Sequence, residues 1–424
     1  MERVFVTGMA INVPLGDTLE GVRKNLMAGK SAVTGWKFTN PSNIYSKVGA
    51  DLSDYAVPEK LAALAGQLPT PLYKRLRKLV NSAPFSTRLG LLCAADAYHH
   101  AGLDGQFDPE RTGVIVSGHN LHYNYDDENT RQFFEDPDFI DPMLGLVSLD
   151  TDQAASVGDA LGLMGPLYTL GGACASGNIA LRQALTEIRS GEADVMLVVG
   201  PVFDYSPKVL HALAMMGAIV HEHFADTPAR ASRPFDVQRE GFVPAHGAAV
   251  LVLESEAHAQ RRSATCYAEL VSVATFSDGS HLPTPSLTGQ VRTMRHVLKL
   301  AGVAPEQIDY INAHATSTPQ GDVSEIQAIK QVFGDHAYRL KINATKSMLG
   351  HCCWSAAVVE AVVTILQMNA GELHPSTNID QLDPEIDLDV CANQPVQWNV
   401  DYALNNAFGF GGINCVSLWK KAAL

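Results

Sequence analysis

The sequence predicts a layered α/β fold in which one structural plan is used twice. Two observations carry that expectation. Short β-branched runs alternate with amphipathic segments along the whole chain, and a small-residue turn leading into a helix occurs once in each half. In the first half, "RVFVTG", "TGVIVSG", "DVMLVVG" and "AAVLVLE" read as buried strands. From about Cys266 a second series follows, with "YAELVSVAT", "IDYINAH", "LKINATKS" and "ALNNAF" as strands and "GQVRTMRHVLKLAG" and "SAAVVEAVVTILQMNAG" as helices. The echo lies in the turns. "GACASG" leads into "NIALRQALTEIRSGEA" and "SMLGHCCWS" into "AAVVEAVVTILQMNAGEL", each helix closing at a glycine. A chain of 424 residues, 46% hydrophobic, exceeds one ordinary core, so two packed halves are expected, 1–258 and 259–424, without a linker.

Composition narrows the function. A formal net charge of −14 argues against a nucleic-acid binder, which would show a basic footprint. Seven cysteines, scattered and without a CxxC pair, make neither a disulfide framework nor a zinc site, so a reducing cytoplasm is expected and no metal. No segment reads as the roughly 18 uncharged apolar residues of a membrane span, and the first residues lack a signal-peptide pattern. Basic residues cluster once, in "YKRLRKL", where Lys74, Arg75, Arg77 and Lys78 crowd one side of a predicted helix. By itself that run is a solvated face or a dock for an acidic partner.

Cys174, in "GGACASGN", differs from the other cysteines. It enters a helix N-terminus, where the macrodipole and free N–H groups favour a thiolate, and its small neighbours leave room for a substrate. Cys93, Cys266, Cys391 and Cys415 read as small core hydrophobes. A cysteine nucleophile needs partners for the proton and the oxyanion, which can lie far off in sequence. His314 in "INAHATSTPQGD" and His351 in "TKSMLGHCCWS" each follow a predicted strand in a loop of small and polar residues, and Lys346 lies five residues before the second. In "NNAFGFGGINC", Gly409, Gly411 and Gly412 surround Phe410, making a flexible turn whose N–H groups can face an oxyanion; a tight turn with packed aromatics is the plainer alternative.

Cys174, His314, Lys346 and His351, with the glycine-rich Phe motif last, resemble the β-ketoacyl-ACP synthase family, the condensing enzymes of the thiolase fold, nearest the type II elongating synthases. The resemblance runs from "RVFVTGMAINVPLG" through "SRPFDVQREGFV" to "NNAFGFGGIN". It implies a duplicated five-layered α-β-α-β-α arrangement, with the nucleophile in the first half and both histidines in the second. It also implies that Cys174 takes an acyl group from a carrier protein and that malonyl-ACP then loses carbon dioxide. His314 and His351 would stabilise the resulting enolate, and the N–H groups of Cys174 and Phe410 would form the oxyanion hole. Lys346 and Glu325 would be supporting charges, Phe408, Gly409, Phe410 and Gly411 a support and gate, and Thr316 and Thr318 the lining of a phosphopantetheine tunnel. No cofactor is implied beyond the phosphopantetheine that carries the substrates. The resemblance turns Lys74, Arg75, Arg77 and Lys78 into a dock for acidic acyl carrier protein, and it implies a homodimer or a heterodimer with a ketosynthase-like partner.

Several positions depart from the family pattern. His119, in "SGHNLHYNY", falls where the resemblance places the end of the acyl pocket, and a polar side chain there disfavours a long saturated chain. "CCWSAA" carries Trp354 in place of a small residue, "AHGA" puts His246 where an acid is usual, and "HATSTP" has Ala315 for glycine. These departures point to a specialised, polyketide-like synthase. Two other expectations remain: a malonyl-ACP decarboxylase that supplies acetyl-ACP, and a non-catalytic subunit that sets chain length. The first commonly lacks the cysteine and the second the Cys-His-His set.

Overall fold

The computed structural model describes residues 2–39 and 43–422. Ten strands form one hydrogen-bonded series that divides into two equivalent halves. In the first, β1 (Val4–Asn12), β2 (Thr112–Ser117), β3 (Leu167–Leu170), β4 (Val195–Gly200) and β5 (Ala248–Ser255) lie in the order β3-β2-β4-β5-β1. In the second, β6 (Ala268–Ser277), β7 (Tyr310–Asn312), β8 (Lys341–Asn343), β9 (Tyr402–Gly409) and β10 (Ile413–Lys421) lie in the order β8-β7-β9-β10-β6. The directions repeat too. Each half has three parallel strands followed by two antiparallel pairings. The halves meet where β1 pairs β6 through only Phe5–Glu269 and Val6–Ala268.

Two helices fill the space between the sheets. α4 (Ser176–Ser190) packs on β4 of the first half and β6 of the second, and α7 (Ala356–Ala370) packs on β5 and β9. Outside the first sheet lie α1 (Thr70–Ser82), α2 (Phe85–Ala101) and α3 (Asp152–Leu161); outside the second lie α5 (Leu287–Ala301) and α6 (Pro319–Phe333). The result is the duplicated α-β-α-β-α arrangement of the thiolase-like fold. Three separate apolar cores correspond to the central layer and the two outer ones.

Local sequence explains the central helices. Both run 15 residues and stop at a glycine with positive φ, Gly191 (82°) and Gly371 (68°), because the left-handed cap admits a residue without Cβ most readily. α7 is apolar all round, as a helix covered on both sides must be. The segment Cys353–Ala370 is in fact long and apolar enough to cross a bilayer, with a mean hydropathy of 1.3, contrary to the sequence expectation. Of that segment, 78% is buried inside the fold, so its apolar surface is already covered by protein. α1 buries Leu72, Leu76 and Val80 along one stripe and leaves Lys74, Arg75, Arg77 and Lys78 exposed.

The turn echo is exact in backbone terms. A short 3-10 turn, Ala173–Ala175, precedes α4, and another, Cys353–Ser355, precedes α7. Each starts at a non-glycine residue with positive φ, Ala173 at 49° and Cys353 at 52°. By position in the turn, Trp354 is the counterpart of Cys174.

Candidate active site

The two central helices deliver their N-terminal turns to one place. There Cys174 Sγ and one ring nitrogen each of His314 and His351 all lie within 4.8 Å of one another. His314 follows β7, and His351 follows a single helical turn, Lys346–Leu349, after β8, so both imidazoles come from the second half and the sulfur from the first. All three are buried and line a cavity of about 400 Å³.

Hydrogen bonds fix the tautomers. His351 Nδ1 accepts the N–H of Cys353 at 3.1 Å, and His314 Nδ1 lies 3.4 Å from the Lys346 ammonium. With Nδ1 accepting in each ring, Nε2 carries the proton. The Nε2 of His351 is buried without a protein partner among the described residues. Burial first, then the Lys346 charge, holds both imidazoles well below their ordinary pKa, so they are neutral donors.

Cys174 departs from the sequence expectation of a resting thiolate. Burial pushes its thiol up to about 11, although Lys346 and the N–H groups of Phe410 and Cys174 itself pull the other way. Desolvation outweighs the helix terminus, and the resting group is a thiol. Those two N–H groups are directed at the sulfur. Gly409 makes their approach possible, since a Cβ there would lie 2.7 Å from the Gly172 carbonyl oxygen and 3.3 Å from the Cys174 nitrogen. The turn after it, with Gly411 at φ 83° and Gly412 at 71°, joins β9 to β10 as a hairpin. Gly409, Phe410 and Gly412 line the cavity, whereas Gly411 does not. Phe410 remains 37% exposed at the mouth, facing Phe242 at 6.5 Å, and Phe408 packs against the His314 ring at 5.7 Å.

The supporting charges divide differently from the expectation. Glu325 accepts the backbone N–H groups of His314 (2.9 Å) and Ala315 (2.8 Å) and the side-chain amide of Asn406 (2.8 Å), so it holds the loop rather than an imidazole. The carboxylate that meets Lys346 is Glu360 on α7, at 2.5 Å. Sequence reading missed it. Its signal was available: Glu360 is the lone charge in the apolar run "AAVVEAVVTILQMNA". Ala315 sits at φ 24°, in the region that favours glycine, and Ser317 at 69°. Thr316 and Thr318 line the cavity with their hydroxyls 3.1 Å apart.

His119 is not where the sequence placed it. It does not line the Cys174 cavity but a smaller pocket of about 130 Å³ with Asn120, His122, Gln153 and Thr169. Its ring lies against Gly171, its carbonyl accepts the Trp354 indole N–H, and the indole covers Gly118. Trp354 does not line the Cys174 cavity either. None of Lys74, Arg75, Arg77 or Lys78 lines the cavity.

Known proteins match this arrangement. The family models "Beta-ketoacyl synthase, N-terminal domain" and "Beta-ketoacyl synthase, C-terminal domain" match residues 1–259 and 267–380. The "Polyketide biosynthesis malonyl-ACP decarboxylase PksF" of Bacillus subtilis is 33% identical, covering 98% of this chain and 95% of that protein. The "3-oxoacyl-[acyl-carrier-protein] synthase 2" of Coxiella burnetii is 32% identical over 97% of both. Among solved structures, a β-ketoacyl synthase from Burkholderia phymatum superposes with a TM-score of 0.88 at 28% identity, covering 100% of both chains. A type II polyketide ketosynthase, solved with its acyl-carrier protein and bound to the hexaketide, gives 0.84 at 27%, again covering 100% of both. The chain belongs to the β-ketoacyl synthase family, and it is an acyltransferase of the ketosynthase type.

Proposed function

We propose that this ketosynthase performs a decarboxylative Claisen condensation between an acyl group on Cys174 and malonyl-ACP, in polyketide-like or specialised fatty-acid biosynthesis. The observation that carries the reading is the meeting of a thiol, two neutral N–H-donating imidazoles and two backbone N–H groups in one cavity. In the first half-reaction the Cys174 sulfur attacks the acyl thioester, its proton leaves with the phosphopantetheine sulfur, and the N–H groups of Cys174 and Phe410 hold the oxyanion. Malonyl-ACP then enters past Thr316 and Thr318. The bond to its carboxylate breaks, carbon dioxide departs, and the enolate oxygen accepts from Nε2 of His314 and His351. The enolate carbon attacks the acyl carbonyl, and the released Cys174 sulfur takes up a proton.

The same three donors could ligate zinc in number and type. Their hydrogen bonding argues otherwise, because both Nε2 atoms carry protons while the Nδ1 atoms are engaged, and the Lys346 ammonium already lies beside His314. The substrates then need no cofactor beyond the phosphopantetheine arm. Lys74, Arg75, Arg77 and Lys78 are read as the dock for acidic acyl carrier protein, a local attraction against the chain's overall negative field. The outer edge of β3, which carries exposed Tyr168 and pairs no further strand among the described residues, suits the family's dimer, as a homodimer or with a ketosynthase-like partner, in the cytoplasm.

A malonyl-ACP decarboxylase role is favoured by one observation, the similarity to the Bacillus protein of that name. Cys174 weighs against it, since decarboxylation alone needs the histidines and not the thiol. Intact-mass spectrometry with acyl-ACP donors and malonyl-ACP, beside Cys174→Ala, separates the two. A Cys174-dependent acyl adduct and a ketoacyl-ACP two carbons longer support condensation. Acetyl-ACP as the only product, independent of Cys174, overturns it in favour of the decarboxylase.

A further inference from the structure

His351 hangs on a short strand segment, residues 242–247, through a two-sided clamp. Its N–H donates to the Val243 carbonyl at 2.7 Å, its own carbonyl accepts the Ala245 N–H at 3.0 Å, and its ring faces Phe242 at 5.1 Å. The opposite edge of the same segment is tied to residues 50–52. There the Ala50 N–H donates to Pro244 (3.1 Å), the His246 N–H donates to Ala50 (2.7 Å), and the Leu52 N–H donates to His246 Nδ1 at 3.1 Å.

The side chain that closes this second edge is His246. It is 1% exposed, with Nδ1 3.3 Å from Oδ1 of buried Asp51, and Phe85, Trp36, Phe38 and Tyr205 surround its ring at 5.3 to 5.8 Å. Asp51 is itself immobilised by the N–H groups of Lys37, Phe38 and Ser53. Because Nδ1 accepts the Leu52 N–H, the ring ties residues 50–52 to the segment that carries it. Tyr205, one wall of this box, also reaches towards the His351 carbonyl at 3.5 Å and lies 2.8 Å from Cys353 Sγ.

We propose that His246 is a positioning residue for His351: by accepting the Leu52 N–H, it fixes the segment from which the second imidazole is hung. The proposal rests on the reading of His351 as the group that stabilises the malonyl-derived enolate. His246 touches no substrate, and its effect is confined to one half-reaction. Acylation of Cys174 uses the other half of the site and does not depend on it.

The test separates the two half-reactions in His246→Phe, which keeps a ring in the box but loses the acceptor, and in His246→Asn, whose side-chain oxygen can accept in place of Nδ1. Asp51→Asn loosens the same loop by weakening its bonds to the N–H groups of Lys37, Phe38 and Ser53, and covers the case in which His246→Phe fails to fold. The expected result for His246→Phe and Asp51→Asn is a fall of about tenfold to a hundredfold in kcat for malonyl-ACP decarboxylation, with Cys174 acylation kept within about twofold. His246→Asn should recover most of the loss. Unchanged decarboxylation, a parallel fall in both half-reactions, or an Asn variant no better than Phe would each overturn the proposal. His351→Ala serves as the separate control. If it too decarboxylates normally, the assignment of His351 fails, whatever His246 does.

Discussion

The Lys346 ammonium lies 2.5 Å from Glu360 and 3.4 Å from His314 Nδ1, with both charged side chains almost completely buried. A buried cation beside a catalytic imidazole does two things at once. It repels a proton from the ring, and it orients the ring by holding Nδ1. Its own charge must be matched, which is the role of Glu360 inside an otherwise apolar helix. Glu360→Gln would leave the ammonium without its partner, and a cost of about 3–5 kcal/mol in unfolding free energy is expected. Denaturant titration checks this, and Lys346→Met combined with Glu360→Gln should recover much of the stability while leaving decarboxylation impaired.

The neutral histidines set a pH dependence with a defined sign. In the unfolded chain both imidazoles take up a proton near pH 6.5, whereas in the folded protein burial and Lys346 hold them neutral well below that. Unfolding therefore binds protons under mildly acidic conditions. Stability from these two groups is full above the unfolded pKa and falls as pH drops below it, by about 1.4 kcal/mol per pH unit for each histidine. Chemical denaturation at pH 7.5 and 5.5 reads this loss as the difference between the protein and His314→Gln, because Asp204, Asp322 and Glu360, which burial pushes up to about 7, act in the opposite sense over the same range. The decarboxylation rate should show no step at pH 6.5, because the folded histidines do not titrate there.

Gly409→Ala tests the oxyanion hole without touching a functional side chain. The added methyl would meet the Gly172 carbonyl and crowd the Cys174 nitrogen, so the two N–H groups could no longer converge on sulfur. Loss of one such donor costs about 10²–10³ in rate, and single-turnover acylation of Cys174 should fall by that order. Malonyl-ACP decarboxylation, which relies on the imidazoles, should fall much less.

Charge reversal on the exposed face of α1 tests the carrier-protein dock. Lys74→Glu with Arg77→Glu should raise KM for acyl-ACP several-fold with little change in kcat, and the difference from wild type should shrink as salt rises. A short acyl-pantetheine substrate, which has no acidic surface, should be used equally by both proteins.

Much of this was legible in the sequence, and the exceptions have physical causes. Cys174, His314 and His351 declared themselves because small-residue loops after strands are costly to keep without a use. The thiol's protonation state was misjudged because helix position is visible in sequence while burial, which dominates here, is not. Glu360 was overlooked because periodicity marks its helix as core, and a single charge in a core is legible only once its partner is placed. His119 was assigned to the acyl pocket because a linear motif does not show that its ring turns to Gly171 and a separate, smaller pocket. The membrane-length apolar segment is the converse case. A helix enclosed by two sheets and one enclosed by lipid face the same demand, and composition alone does not tell them apart.

The repeated plan also shapes how this protein can change. Sulfur is supplied by the turn-and-helix unit of the first half and both imidazoles by loops of the second, so the two halves are no longer interchangeable. They are complementary halves of a single catalyst, and neither can be lost or exchanged for a duplicate of its twin. At the matching turn position, the copy that carries Cys174 is bound by its chemistry. The copy that carries Trp354 is bound only by shape, through its packing on Gly118 and Phe203.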